Sequence, residues 1–211
     1  MKKNKFSITG IALIIFLLIS FLLTLLRYQF IGNNIVVLSG LNIVIFSRLV
    51  SILYFIFNFI LNNGIYFLLI IYIILNMLIK NEKAMMAIRI IIFLLMGGFL
   101  IYLFVSDIVT LINLFGTSYL FMIGIINVLL MIANLMIMLS IMIYIINSIP
   151  NGRLLYFINT VLMAAFIVLS LLCNIALLFL STFNFYLIVS ILYTMVILVV
   201  RILIPLYFYH N

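Results

Sequence analysis

Side chains that carry out catalysis are scarce in this chain. Its only acidic residues are Glu82 and Asp107, its only histidine is His210 and its only cysteine is Cys173. The two acids flank one apolar stretch, so they cannot form the carboxylate pair of an intramembrane protease or metal site. His210 lies far along the chain from any buried nucleophile, and one cysteine forms no intrachain disulfide. We therefore expect no enzyme activity, no catalytic or metal site and no cofactor.

Charged residues of either sign are also few. They make up 6% of the 211 residues, whereas a soluble domain carries roughly a quarter, which it needs to cover its surface. Hydrophobic residues reach 71%, and no polar stretch is long enough to form a separate soluble unit. The sequence therefore predicts a single transmembrane domain over residues 1–211, with no soluble domain.

Long uncharged apolar runs fill most of the chain. They are about 20 residues long, the length that an α-helix needs to cross a hydrocarbon core of about 30 Å. Because lipid satisfies no backbone N–H or C=O group, such runs must form helices or a closed barrel, and the absence of period-two alternation excludes the barrel. The predicted fold is an all-α polytopic bundle, with main spans at residues 6–26, 64–79, 84–106, 118–149, 154–180 and 185–208.

The stretch 35–61 leaves the number of crossings open. It is apolar and long enough to span, but Arg48 lies at its centre, where an arginine costs about 2.5–3.5 kcal/mol. Asn62-Asn63-Gly64 predicts a tight turn after it, and residues 108–117 predict a separate interfacial segment. One interpretation is six transmembrane helices plus a re-entrant or interfacial helix at 35–61. The alternative is seven transmembrane helices.

The distribution of positive charge favours six crossings. With six, one side of the membrane receives the N-terminal lysines, the Lys80–Arg89 cluster, Arg153 and Arg201, which stands near the end of the last span. The positive-inside rule assigns that side, and with it both termini, to the cytoplasm. The net charge of +8 then predicts contact with anionic lipid head groups and no nucleic-acid partner. A composition rich in Ile, Asn and Phe, without Trp, favours a bacterial cytoplasmic membrane over a mitochondrial inner membrane.

Charged candidates for function form two groups. Arg48 lies inside an apolar run, and Arg27 and Asp107 are predicted on the same outer face. We expect Asp107 to approach Arg48, or failing that Arg27, within direct or water-bridged hydrogen-bonding reach. On the opposite, cytoplasmic face the Lys80–Arg89 cluster is the predicted surface for a soluble partner, through Lys80, Lys83 and Arg89.

Polar stripes run along two of the predicted spans. Asn127 and Asn134 share a face of the span 118–149, and Asn159 and Asn174 lie roughly on one side of the span 154–180. Such residues could line a path for a polar or amphipathic substrate. They could equally hydrogen-bond across helices, where each bond is worth about 0.6 kcal/mol on average.

Three classes of function fit these features. The first is a non-catalytic, permease-type membrane subunit of a transport or export system, energised by a partner protein such as an ATPase subunit. It is favoured because no span has a buried Asp, Glu or His at its centre, so the chain lacks a proton relay of its own. The second is an accessory or immunity protein that binds a peptide, a toxin or another membrane protein. The third is a structural subunit of a larger membrane complex.

Overall fold

The protein is all-helical in the residues that the structure, a computed structural model, describes, namely 8–32, 44–79, 81–115, 121–147, 153–179 and 185–210. These residues form six helices, α1 (Ile8–Gly32), α2 (Val44–Leu78), α3 (Glu82–Phe115), α4 (Phe121–Asn147), α5 (Arg153–Phe179) and α6 (Phe185–His210). Each contains a stretch of 19 to 28 residues that is long and apolar enough to cross a membrane. The chain is therefore a membrane protein with six candidate spans, as predicted.

Five of the six predicted spans begin close to a helix start. The predicted starts at residues 6, 84, 118, 154 and 185 compare with helix starts at 8, 82, 121, 153 and 185. The start of α3 shows the local cause, since the Oδ1 atom of Asn81 accepts a 3.0 Å hydrogen bond from the backbone N–H of Lys83. This side chain caps the helix, and Glu82 in the first turn is stabilised by the positive end of the helix dipole.

The predicted turn at Asn62-Asn63-Gly64 is wrong. α2 is one continuous helix of 35 residues that includes this tripeptide, and at 1.5 Å per residue it is about 52 Å long. The side chain of Asn63 donates a 2.9 Å hydrogen bond to the carbonyl of Phe59 in the same helix. Gly64 lies against the ring of Phe99 on α3, where a Cβ atom would overlap the ring. Close packing on α3 thus requires a glycine inside the helix, and it overrides the local preference for a turn.

The great length of α2 and α3 changes the interpretation of their ends. The described apolar stretch of α2 is Phe59–Leu78, and the helix itself begins at Val44, so Arg48 lies in its second turn. Neither a seventh crossing nor a re-entrant helix is confirmed in the described residues, and 33–43 lie outside them. α3 runs on to Phe115, so Asp107 does not end the helix and 108–115 do not form a separate interfacial segment.

The helices pack so that α1 begins where α2 and α6 end. Gly10 of α1 contacts Met77 of α2 and Tyr207 of α6. We call the side of the bundle marked by these three residues the near end, and the opposite side the far end. The most extensive helix–helix interfaces are those of α4 with α5 and of α1 with α6, whereas the interface of α5 with α6 is small. The tightly packed interior includes the fully buried side chains of Leu13, Leu17, Leu69, Tyr72, Ile73, Met96, Ile137, Tyr144 and Tyr207.

Candidate functional site

Arg201 of α6 is buried inside the helix bundle, with 8% of its surface exposed. Its Nη1 atom donates a 2.8 Å hydrogen bond to the Oγ atom of Ser170 on α5. Its Nη2 atom donates a 2.7 Å hydrogen bond to the Oδ1 atom of Asn134 on α4. One cationic side chain therefore joins three helices through two uncharged acceptors.

The guanidinium group of Arg201 lies near the middle of the spans. Asn134 is at the centre of the α4 span, Ile123–Ile146, and Arg201 is eight residues, about 12 Å, from the near end of the α6 span, Leu187–Tyr209. Side chains on an α-helix lean toward its N-terminus. For Arg201 that direction leads away from the near end and into the bundle. The sequence counted Arg201 among the charges of the cytoplasmic side, and that assignment stays a prediction, but its guanidinium is buried inside the bundle and not at an exposed helix end.

Hydrogen bonds among the acceptors, and one further polar residue, extend this contact. The Oγ atom of Ser170 donates a 3.5 Å hydrogen bond to the Oδ1 atom of Asn134. The amide of Asn174, one turn further along α5, donates a 2.7 Å hydrogen bond to the backbone carbonyl of Ser170. Asn134, Ser170, Asn174 and Arg201 form what we call the arginine cluster, in which the oxygen atoms of Asn134 and Ser170 are shared between donors.

The guanidinium group keeps donors that the cluster does not use. Its Nε atom is buried and has no hydrogen-bond partner among the described residues. A guanidinium has five N–H groups, and the bonds to Ser170 and Asn134 use two of them. A buried cation that faces only neutral oxygens is costly, because hydrogen bonds to dipoles do not replace a counter-charge.

A small cavity lies beside Arg201 in the interface between α5 and α6. Its volume is about 10 Å³, close to the minimum that holds one water molecule. The cavity is partly open to the surface of the bundle, and its lining residues are Ile167, Ser170, Leu171, Asn174, Thr194, Ile197, Leu198 and Arg201. Ser170, Ile197 and Arg201 are buried and form its floor, whereas the other five are partly exposed. The cavity therefore opens sideways, between two membrane-spanning helices.

A second group of polar side chains near the ends of these helices is internally paired. The hydroxyl groups of Tyr144 and Thr160 lie 2.7 Å apart, and the hydroxyl of Tyr156 donates a 2.5 Å hydrogen bond to the carbonyl of Pro205. The Tyr144 ring stacks on Phe208, with ring centres 5.4 Å apart. These contacts join α4, α5 and the last turns of α6, and they hold the helix that carries Arg201.

The asparagines singled out in the sequence have different environments. Asn134 and Asn174 belong to the arginine cluster. Asn127 donates a 3.0 Å hydrogen bond to the carbonyl of Ile123 in its own helix. Asn159 is buried and donates a 3.0 Å hydrogen bond to the carbonyl of Ser140, across the interface of α4 and α5. The two predicted stripes thus do not form one continuous polar path in the described residues.

The charged candidates from the sequence lie elsewhere. Asp107 is half-buried on α3, and the backbone positions of Arg27, Arg48 and Asp107 lie toward the far end. The side chains of both arginines lie outside the described part of the structure, so their pairing with Asp107 stays a prediction. At the start of α3 the side chain of Lys83 is exposed and that of Arg89 is half-buried, while Lys80 lies outside the described residues.

No pattern in the sequence predicted that Arg201, Ser170 and Thr194 line one cavity. One signal was present, since Arg201 stands in an apolar run with hydrophobic neighbours on both sides, as Arg48 does. Among the described residues no group of three His, Cys, Asp or Glu side chains lies close enough to hold a metal ion. What the cluster offers chemically is a buried cation with spare hydrogen-bond donors, which suits an anionic group.

Comparison with protein families, with characterised proteins and with solved structures gave no match to this chain.

Proposed function

We propose that the protein is a non-catalytic, permease-type membrane subunit of a transport or export system, which a partner protein energises. The observation that carries this proposal is the buried Arg201, which has unused donors and lines a cavity between α5 and α6. Charged side chains inside membrane spans are costly, and they commonly mark the pathways of substrates and ions. A buried cation at mid-span is more typical of a protein that binds a solute than of a purely structural subunit.

The loose contact of α5 with α6 supports the same proposal. Binding of a solute inside a membrane protein requires helices that can separate and close again. The interface of α5 with α6 is smaller than that of α4 with α5 or that of α1 with α6. The cavity lies in the interface of α5 with α6. The arginine cluster would therefore bind its ligand where little packing has to be broken.

The energy for such a cycle would come from a partner. The only acidic residues of the chain, Glu82 and Asp107, are near the two ends of the α3 span, and the only histidine is His210. Proton-coupled transporters use buried acids or histidines as relays, and this chain offers none beside the arginine cluster. An ATPase subunit is the partner that this proposal implies.

The near end is the proposed docking face for that partner. It includes the connection between α2 and α3, where Asn81, Glu82, Lys83 and Ala84 are exposed. In the sequence the N-terminal lysines precede α1, which begins at this end, and Lys80 falls between α2 and α3. By the positive-inside rule this end faces the cytoplasm, and we propose a bacterial cytoplasmic membrane as the location.

Affinity purification of the full chain in mild detergent tests this function. We expect a soluble ATPase subunit to co-purify, and we expect Lys83→Glu to weaken its retention while the charge-preserving Lys83→Arg does not. A protein that purifies with only membrane proteins or peptides, equally in both variants, would contradict the proposal.

An accessory or immunity role is the second candidate, and one observation favours it. Only 17% of the residues in the spans of α3 and α5 are buried, compared with 44% in the span of α2. So much exposed surface on two helices could receive another membrane protein, a peptide or a toxin instead of lipid alone. Co-purification of such a molecule in place of an ATPase would select this candidate, as would a toxin gene adjacent in the genome.

A further inference from the structure

We propose that the arginine cluster binds the carboxylate group of an amphipathic monocarboxylic acid, such as a long-chain fatty acid, which enters from the lipid between α5 and α6. The inference goes beyond the proposed function, because the site can hold such a molecule whether it is transported or remains bound. It depends on three features of the site: the free donors of Arg201, its single charge and the direction in which the cavity opens.

The free donors of Arg201 match a carboxylate. The Nε–H group and one Nη–H group lie side by side along an edge of the guanidinium, and this fork accepts the two oxygens of a carboxylate in parallel hydrogen bonds. In this protein the Nε atom is buried without a partner among the described residues, whereas the bonds to Ser170 and Asn134 start from the Nη atoms. The cluster therefore holds the guanidinium in place and leaves the Nε–H group and one hydrogen on each Nη atom for a further acceptor.

The single charge of the site selects a monoanion. One carboxylate would neutralise Arg201, whereas a phosphate dianion would leave a net negative charge at mid-span, where ions are poorly solvated. Both acids of this chain lie on α3, which contributes no group to the arginine cluster. No carboxylate of the described residues bonds to Arg201, so we assign its counter-charge to another molecule.

The opening of the cavity indicates the phase from which that molecule comes. Ile167, Leu171 and Leu198 are partly exposed at its rim, and Leu172 and Met195 on the same two helices are more than half exposed. In a membrane these side chains contact lipid tails. An apolar chain can lie along this surface while its carboxylate reaches Arg201, whereas a free inorganic anion would have to cross hydrocarbon to arrive there.

The size of the cavity sets a condition on binding. Its volume of about 10 Å³ admits one water-sized group, which is enough for one carboxylate oxygen. The second oxygen requires a small separation of α5 and α6 or rotation of a rim side chain such as Leu198. The proposal therefore includes a local widening of this interface on binding.

Binding of radiolabelled palmitate to the full chain in phosphatidylcholine nanodiscs tests the proposal. We expect saturable binding that weakens at least tenfold in Arg201→Met and less in Arg201→Lys, which keeps the charge but loses the fork. The matched control is Arg89→Met, which removes a half-buried arginine on α3 whose Nε atom is also unpartnered in the described residues but which does not line the cavity, and it should leave the affinity unchanged. Unlabelled palmitate should compete, whereas hexadecanol, acetate and chloride should not.

A second variant covers the case in which Arg201→Met fails to fold. Leu198→Trp should narrow the rim while Arg201 stays in place, and it too should weaken palmitate binding at least tenfold.

Equal binding by wild type and both variants would overturn the proposal, as would competition by hexadecanol. Competition by chloride would instead show a site for inorganic anions. Absence of palmitate binding, with cross-linking from residue 198 to a membrane protein, would assign Arg201 to a partner's carboxylate. None of these outcomes bears on whether an ATPase subunit co-purifies, so the proposed function stands or fails separately.

Discussion

The Nη2 atom of Arg201 and the Oδ1 atom of Asn134 lie 2.7 Å apart, so a cation on α6 is held by a neutral amide at the centre of α4. This hydrogen bond orients the guanidinium without cancelling its charge. An arginine that served only to tie helices together would be better placed opposite a carboxylate. Asn134 therefore positions the guanidinium group, and the charge of Arg201 stays available to bind an anion.

Substitution of the two partners should affect stability in different ways. We expect Asn134→Leu to lower the free energy of unfolding by about 2 kcal/mol, because it leaves the buried charge of Arg201 without its shortest hydrogen bond. Arg201→Met should leave stability unchanged or raise it, since a buried charge is replaced by an apolar group. Unfolding by denaturant titration or steric trapping measures both values.

Asn127→Leu is the matched control for this comparison, because Asn127 lies on the same helix and its amide bonds only to the carbonyl of Ile123 in the described residues. Its effect should be small. If Arg201→Met destabilised the protein more than Asn134→Leu, the arginine would be a structural tie, and the argument for a binding role would lose its basis.

Gly64 should tolerate no side chain. A Cβ atom there would overlap the ring of Phe99, so Gly64→Ala should destabilise the protein by about 1–3 kcal/mol through overpacking of α2 against α3. Gly98→Ala on α3 is the control, because no atom lies within 4 Å of the added methyl group and alanine favours a helix. Recovery of stability in a Gly64→Ala, Phe99→Leu double variant would identify the ring as the cause, and equal effects of the two alanines would refute the close contact.

The two ends of α3 should label from opposite sides of the membrane. In a Cys173→Ala background, Asn81→Cys should be protected from an impermeant thiol reagent added outside intact cells, since the near end is proposed to face the cytoplasm. Ile112→Cys, which is 66% exposed and lies in the last turn of α3, should react. Labelling in the reverse pattern would invert the orientation, and equal labelling of both positions would argue against a crossing by α3.

Most of the fold could be predicted from the sequence because lipid imposes a simple constraint. An apolar run of sufficient length has to form a helix, so the starts of α3 to α6 followed from where polar residues interrupt the runs. The error at Asn62-Asn63-Gly64 came from local preference, which favours a turn for this tripeptide. The helix continues because Gly64 packs against Phe99, which lies 35 residues further along the chain. No local sequence pattern indicates this contact.

Less of the candidate site could be predicted. Asn134 and Asn174 stood out as polar residues in apolar runs, and both belong to the arginine cluster. Arg201 was grouped with the charges of the cytoplasmic side because it stands near the end of the last predicted span. The depth of its guanidinium depends on two things. The side chain leans toward the N-terminus of the helix, and α6 presents this face to α4 and α5. The orientation of α6 is a property of the packed bundle and cannot be seen in the sequence.

The measurement that tests the account most directly is the environment of a nitroxide label at residue 198, on the rim of the cavity beside Arg201. Single-cysteine variants Leu198→Cys, Leu172→Cys and Asn81→Cys, in the Cys173→Ala background, would be compared in nanodiscs by electron paramagnetic resonance with oxygen and a water-soluble nickel chelate as relaxing agents. We expect residue 198 to resemble the exposed, lipid-facing residue 172, with oxygen far more effective than nickel, and residue 81 to show the reverse. If residue 198 were as accessible to nickel as residue 81, Arg201 would face water, and the account of a mid-membrane site that opens to lipid would be contradicted.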